Sequence, residues 1–178
     1  MGLFKKLLGK ASDPPRTSHA TGEGDGWDDS YGLALPHPAT PENMRSLADV
    51  AVRDAADDEG VTLDYSVESL HAVDRILIGY HERGVVLGSI LETVFCYGCY
   101  VGEVIRGQGE WAWVRSPRPE LMGMLPVLQS PDGELLAPIA KAFKCVQHGE
   151  EDSTYPLVVL SDDARRNGGE KDVPAGPD

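Results

Sequence analysis

Four side chains in the middle of the sequence are spaced for joint chemistry. Glu92, Cys96, Cys99 and Glu103 stand at offsets of 4, 7 and 11, so on an α-helix they fall within about 60° of one another. The Cys96-x-x-Cys99 pair admits two reactions. As a dithiol it can cycle to a disulfide, which needs an attacking thiol with a pKa lowered by a helix N-terminus or a cation. Its neighbours are Glu92 and Glu103, and acids raise a thiol's pKa. Together with Cys145-x-x-His148 it gives two pairs of ligand-like spacing, and Cys3His is an established tetrahedral zinc set. Pairs in structural zinc sites usually sit on tight turns, whereas the first pair here lies inside a helical pattern and the second in the last turns of another.

Packing is the preferred reading of the stripe. Cysteine is small and often buried, and a face bearing Cys96, Gly98, Cys99 and Gly102 gives clearance to a close neighbour. A buried Glu103 then needs a donor. Arg106 on the next turn and the indole N–H of Trp111 or Trp113 are the candidates. A groove lined by Glu103, Tyr100 and Trp111, with Trp113 and Glu92 beside it, would be the place for a ligand; these five form the candidate binding set. Trp111 and Trp113 are two apart and share a strand face, where core packing competes with a ligand platform. No Gly-rich phosphate loop, nucleophile elbow or zinc-protease helix is present in the sequence, and no cofactor is expected. Of the histidines, His19 and His37 fall in a linker-like region and His71 and His81 on a helix. Asp64 with Glu68 or Asp74 makes an acid pair on paper, but an acidic helix N-terminus accounts for Glu68.

The elements that must position these residues follow from periodicity. Thr40-Pro41 opens a first helix running to Glu59-Gly60, with Met44, Leu47, Ala51 and Ala55 inward, since Pro suits the first helical position. Val61 to Tyr65 reads as extended. Ser66 caps a second helix carrying Val67, Leu70, Val73, Ile76, Leu77 and Tyr80 until Gly84 stops it. A third helix over 85–106 is the most apolar, with Ile90, Val94, Tyr97, Val101 and Ile105 opposite the acid and thiol stripe. It has the length of a membrane span, but Glu92 and Glu103 lie within it, and carboxylates are costly in hydrocarbon. A buried central helix is the better account. Short strands follow at Trp111–Val114, Met122–Leu128 and Leu135–Ala137. Ser130-Pro131-Asp132-Gly133 turns between the last two, and Pro126 predicts an edge or a bulge. A last helix over Pro138–His148 presents Ile139, Ala142, Phe143 and Val146. The pattern is α+β: three N-terminal helices with a central apolar helix, a small antiparallel sheet of short strands, and a C-terminal helix.

Charge and composition bound the function. The chain has 178 residues, with 29 acidic against 16 Lys and Arg and a formal charge of -13. That length fits one ordinary core, placed at 41–159, and the charge repels phosphate backbones, so nucleic acid is not the expected partner. Three cysteines make no paired disulfide framework, and the start lacks the long apolar run of a secretory signal. A reducing cytoplasm fits. Residues 1–10 are basic, and Leu3, Phe4, Leu7 and Leu8 share a helical face flanked by Lys5 and Lys6, a segment able to touch an anionic bilayer weakly. Gly2 fits a myristoylation pattern, yet Lys6 stands where Ser or Thr is required. Residues 11–40 read as a flexible linker, with a docking-peptide composition around Trp27 to Leu35, and 160–178 read as a disordered tail.

Over Leu63–His148 the chain resembles a family of small bacterial proteins of high-GC actinobacteria. The residues that carry the likeness are Leu63 to Leu70 with Val73-Asp74, then Gly98-Cys99-Tyr100-Val101-Gly102-Glu103-Val104-Ile105, then Gly109-Glu110-Trp111. Its Tyr-x-Gly-Glu core is the most specific part. The resemblance implies a helix-rich α+β domain with no assigned activity, and places Tyr100, Gly102, Glu103 and Trp111 in the shared pattern but not Cys96 or Cys145. The function expected is an acidic protein-binding module, an adaptor or an immunity-like protein with a basic protein partner. The alternatives are a thiol or zinc protein and peripheral attachment to the inner face of the membrane.

Overall fold

Proline at the head of the first helix sets its entry. In the computed structural model, which describes residues 31–117 and 125–161, a 3-10 turn at Pro41–Asn43 runs into α1, Met44–Asp58. Thr40 is extended but its side chain makes no cap bond, so the fixed φ of Pro41, and not a capping side chain, sets the entry. Met44, Leu47, Ala48, Ala51 and Ala55 are buried, and three alanines on that stripe let α1 lie close to its neighbour. Val61–Tyr65, expected to be extended, pairs with no strand of the sheet. The N–H of Val61 instead donates to Ala55 O at 2.9 Å across Gly60, whose φ is +65°, and this closes the helix end.

Ser66 heads a lead-in turn rather than the helix itself. Its Oγ accepts the N–H of Ser69 at 3.2 Å, and successive turn bonds reach α2, Leu70–Glu82. Gly84 ends it in the left-handed region, at φ +64°. The third helix starts later than its apolar run. Val86 is extended, Leu87–Ser89 forms a 3-10 turn, and α3 spans Leu91–Gln108. The reason is local: Gly88 and Ser89 are weak helix formers, and Ser89 Oγ donates to Val86 O at 2.7 Å, a bond that competes with helical pairing. From Val94 to Ile105 every residue of α3 is buried, so the central helix is enclosed on both the apolar face and the acid and thiol face. Both α1 and α4, Pro138–His148, pack on it, and α4 also packs on α2.

Three short antiparallel strands, β1 at Ala112–Val114, β2 at Val127–Gln129 and β3 at Leu135–Leu136, lie in the order β1-β2-β3. Trp113 faces Leu128, which faces Leu136. Two expectations change here. Trp111 precedes the strand, its N–H turned to Gly109 O. Pro126 marks neither an edge nor a bulge, for β2 is the middle strand and starts at the next residue, beyond the reach of the missing N–H. Gly133, φ +86°, closes the turn to Ser130. After α4 a 3-10 turn, Gly149–Asp152, leads to a helical stretch at 156–161. The packed body reaches past the sequence boundaries at both ends: Ser161 is buried, as is Ala39, and Tyr31, Leu33 and Leu35 pack against the core. Residues 1–30 and 162–178, which hold the basic head, the rest of the linker and the tail, lie outside the described residues.

Candidate functional site

Glu103 is the residue on which a ligand reading of α3 turns, and its carboxylate is already occupied. It is 7% exposed. Trp113 Nε1 donates to Oε1 at 2.8 Å, and one Arg106 nitrogen donates to both oxygens, at 2.9 and 3.1 Å. Arg106 also donates through Nε to Trp111 O at 3.3 Å. Two of the donors expected from the sequence are thus in place, and they tie α3 to β1. Gly102 lets this happen: a Cβ there would lie 2.1 Å from Trp113 Cζ2. Gly98 plays the same part toward α4, with a Cβ 2.5 Å from the Cα of Ile139.

Tyr100 fastens the other end of the motif. Its hydroxyl accepts the N–H of Tyr65 at 2.8 Å and pairs with Ser69 Oγ at 2.6 Å, which holds Tyr65 at φ +64°, a strained region for a residue with a Cβ. The Tyr65 ring lies 4.6 Å from that of Tyr100, its hydroxyl donates to Asp49 at 2.7 Å, and Arg45 sits 3.6 Å above it. Tyr100, Gly102 and Glu103 therefore clamp a loop and a strand to the central helix. Trp111 and Trp113 are buried and present no platform. The proposed groove of Glu103, Tyr100 and Trp111 is filled by the protein's own side chains. Glu92, half-buried at the start of α3, accepts the N–H of Ala34 at 3.1 Å and so pins residues 31–35 to the body.

All three thiols lie in the core. Cys96, Cys99 and Cys145 are free and buried. Burial pushes Cys96 and Cys145 up to about 12, with Asp54 and Glu92 adding to Cys96 and Asp74 to Cys145. Cys99 is raised well above the ordinary thiol value, again by burial first and then by Cys96 and Glu103. Its Sγ–H points to Met44 Sδ at 3.7 Å. Such thiols hold their protons and are poor nucleophiles and poor ligands. His148 is exposed and bonds Asp152 at 2.5 Å, an acid that Lys141 also reaches at 2.7 Å. Those two hydrogen bonds hold the Asp152 carboxyl below the usual range. Among the described residues no group of three or more His, Cys, Asp or Glu is placed to hold a metal ion, so Cys96, Cys99, Cys145 and His148 are not brought together as a set of four ligands.

Two features escaped the sequence reading. The first is the role of Asp74, named above only as half of an acid pair and in the family pattern: buried in α2, it accepts Thr154 N–H at 2.6 Å, Thr154 Oγ1–H at 2.7 Å and Tyr155 N–H at 3.2 Å. It caps the 156–161 stretch from another element. The signal was present: Asp74 lies four residues after Leu70 and three before Leu77, on the apolar stripe where an acid needs partners. Above it opens a groove of about 480 Å³ lined by Glu68, His71, Arg75, Glu150, Ser153 and Tyr155 among others. The His71 and Tyr155 rings stack at 4.2 Å.

The second is the end of α1. Asp54, Asp57, Asp58 and Glu59 follow one another there with no basic residue in the last turn. Asp54 is raised by burial first, then by Asp58. Arg83 meets Glu59 at 3.7 Å. The buried hydroxyl of Tyr97 has no hydrogen-bond partner among the described residues, and its ionisation is opposed by burial first, then by Tyr80, Asp54, Glu59 and Asp58. Comparison with family models, curated proteins and solved structures returns no match. No described helix is long and apolar enough to cross a membrane. The membrane candidates Leu3, Phe4, Lys5, Lys6, Leu7 and Leu8 lie outside the described residues.

Proposed function

We propose that this chain is a protein-binding module whose acidic surface docks a basic protein, as an adaptor or an immunity-type neutraliser does. The observation that carries the reading is the C-terminal end of α1. A helix C-terminus is its negative pole, and each acid placed there costs about 0.3–1 kcal/mol, with a further few tenths for like charges four apart such as Asp54 and Asp58. The fold gains little in return: Asp57 and Asp58 are exposed and in no ion pair among the described residues, and Glu59 meets only Arg83, at 3.7 Å. Charge kept for solubility alone would serve as well elsewhere. A cation from a partner would relieve both the mutual repulsion and the clash with the helix pole. Free, buried thiols accord with a reducing compartment, hence a cytoplasmic one.

The test is a quadruple substitution, Asp54→Asn, Asp57→Asn, Asp58→Asn and Glu59→Gln, made in the full chain. The variant should gain about 1 kcal/mol of stability and lose partners that the parent chain retains from lysate at low salt and releases at high salt. Equal retention by both forms, or a loss of stability, refutes the reading.

A further inference from the structure

We infer that the groove between α2 and residues 149–156 is a receptor for one arginine side chain of the basic partner, an inference that rests on the module reading and names its specificity site. The groove's volume, about 480 Å³, falls in the range of about 300–1,000 Å³ that ligand sites occupy. Its electrostatics are set from below. Asp74 is 7% exposed, and its three donors, two backbone N–H groups and a hydroxyl, are all neutral. They fill three of its roughly four acceptor sites and bring no positive charge to the floor of the groove, which Asp74 helps to line.

At the walls stand Glu68 and Glu150, both exposed and in no ion pair among the described residues. Arg75 is the one Lys or Arg in the lining. Three carboxylates against one guanidinium leave the groove negative, within a chain of net charge -13. An anion is therefore repelled and a cation drawn in.

The form of the cation follows from the rings. His71 and Tyr155 both line the groove and lie 17° from parallel at 4.2 Å, so each covers one face of the other, and the exposed His71 ring is the one left to a further planar group. A guanidinium is planar, weakly hydrated and able to stack on such a face while its fork of N–H groups donates to carboxylates on either side. An ammonium donates to the same carboxylates but is a strongly hydrated point charge that gains less from the rings. Glu68 and Glu150 are the discriminating acceptors, and the stacked pair selects arginine over lysine.

The probe is a capped tripeptide, acetyl-Gly-Arg-Gly-amide, titrated into isotopically labelled full-length protein and followed by amide chemical shifts. Matched peptides carry citrulline or lysine in place of arginine. The arginine peptide should move amides of residues 68–75 and 150–156 with a Kd of roughly millimolar order. The citrulline peptide should move none of them, and the lysine peptide should bind several-fold more weakly. Glu68→Gln with Glu150→Gln should weaken the arginine peptide at least tenfold while lowering the melting temperature by no more than about 3–6 °C, since both positions are exposed and only their helix N-terminal charges are lost. Shifts absent from the groove, confined to residues 54–59, equal for citrulline, or equal for lysine overturn the inference. The two readings fail separately. An arginine peptide that binds the groove while the α1 variant keeps every partner removes the module reading and leaves the groove. Salt-sensitive partners lost by the α1 variant, with no groove shifts, do the reverse.

Discussion

Alanine in place of glycine at three positions of one helix should act with opposite signs, and the structure sets the size of each effect. An alanine in a helix interior is favoured over glycine by about 1 kcal/mol. At Gly107, within α3 and exposed, an added Cβ meets nothing within 4 Å, so Gly107→Ala should stabilise the protein by up to about 1 kcal/mol. At Gly98 the new atom would sit 2.5 Å from Ile139 Cα and 3.1 Å from its Cβ. Carbon atoms rest about 3.5–4.0 Å apart, so α3 and α4 must part by about 1 Å along a buried seam. Overpacking costs roughly 1–3 kcal/mol, and a backbone obstacle puts this site at the upper end; less the propensity gain, about 2 kcal/mol is lost.

At Gly102 the obstacle is the Trp113 ring, at 2.1 and 2.4 Å. Moving it also breaks the 2.8 Å bond to Glu103, and a hydrogen bond to a charged group is worth about 1.5–3 kcal/mol, so the loss should reach about 3 kcal/mol. Guanidinium unfolding followed by tryptophan fluorescence reads all three, with melting shifts of roughly 3 °C per kcal/mol. Gly102→Ala should also change the near-ultraviolet signal of Trp113. If Gly98→Ala or Gly102→Ala matches Gly107→Ala within about 0.5 kcal/mol, close approach at α3 does not explain these glycines, and the account of the motif fails.

Asp74→Asn puts an amide N–H₂ opposite at least one of three N–H or O–H donors; a cost of about 1–3 kcal/mol is expected, and hydrogen exchange at residues 154–161 should quicken well before that of α3. Tyr100→Phe removes the acceptor for Tyr65 N–H and should cost about 1–2 kcal/mol, read as a lower urea midpoint; an unchanged midpoint would mean the loop at 64–66 is held by other bonds. The three thiols should be silent to a disulfide reagent in the native protein at pH 8 and all react in denaturant. Because folding raises Cys96 and Cys145 to about 12, their contribution is complete below the ordinary thiol pKa. It is lost as pH climbs from there toward 12, since the unfolded chain releases those protons first. Stability measured from pH 7 to 10 should fall, and the fall should diminish when Cys96 is replaced by Ala.

The helices were legible in the sequence because each repeats its apolar residues with the helical period. Met44, Leu47, Ala51 and Ala55 face inward as the spacing requires, and α4 runs from Pro138 to His148, bounded by a proline and a glycine whose backbone preferences are local properties. The α+β arrangement followed from the order of those patterns. The donors to Glu103 were foreseeable as a short list, since Arg106 is one turn away and a buried carboxylate must be paired.

Partnership across distance was decided only by the tertiary structure. Asp74 and Thr154 are 80 residues apart, and no period in either segment refers to the other. Glu68 and His71 form one wall of a groove whose other wall, Glu150 and Tyr155, exists only once α4 has packed on α2. The start of α3 was misplaced because periodicity records which residues are buried, and Leu87 is buried in a 3-10 turn as well as any helical leucine. Whether a polar side chain stays without an ion pair among the described residues, as Glu68 does, or is consumed by the fold, as Glu103 is, depends on which atoms arrive within about 3 Å. That is set by the packing of whole elements, not by residue type or spacing.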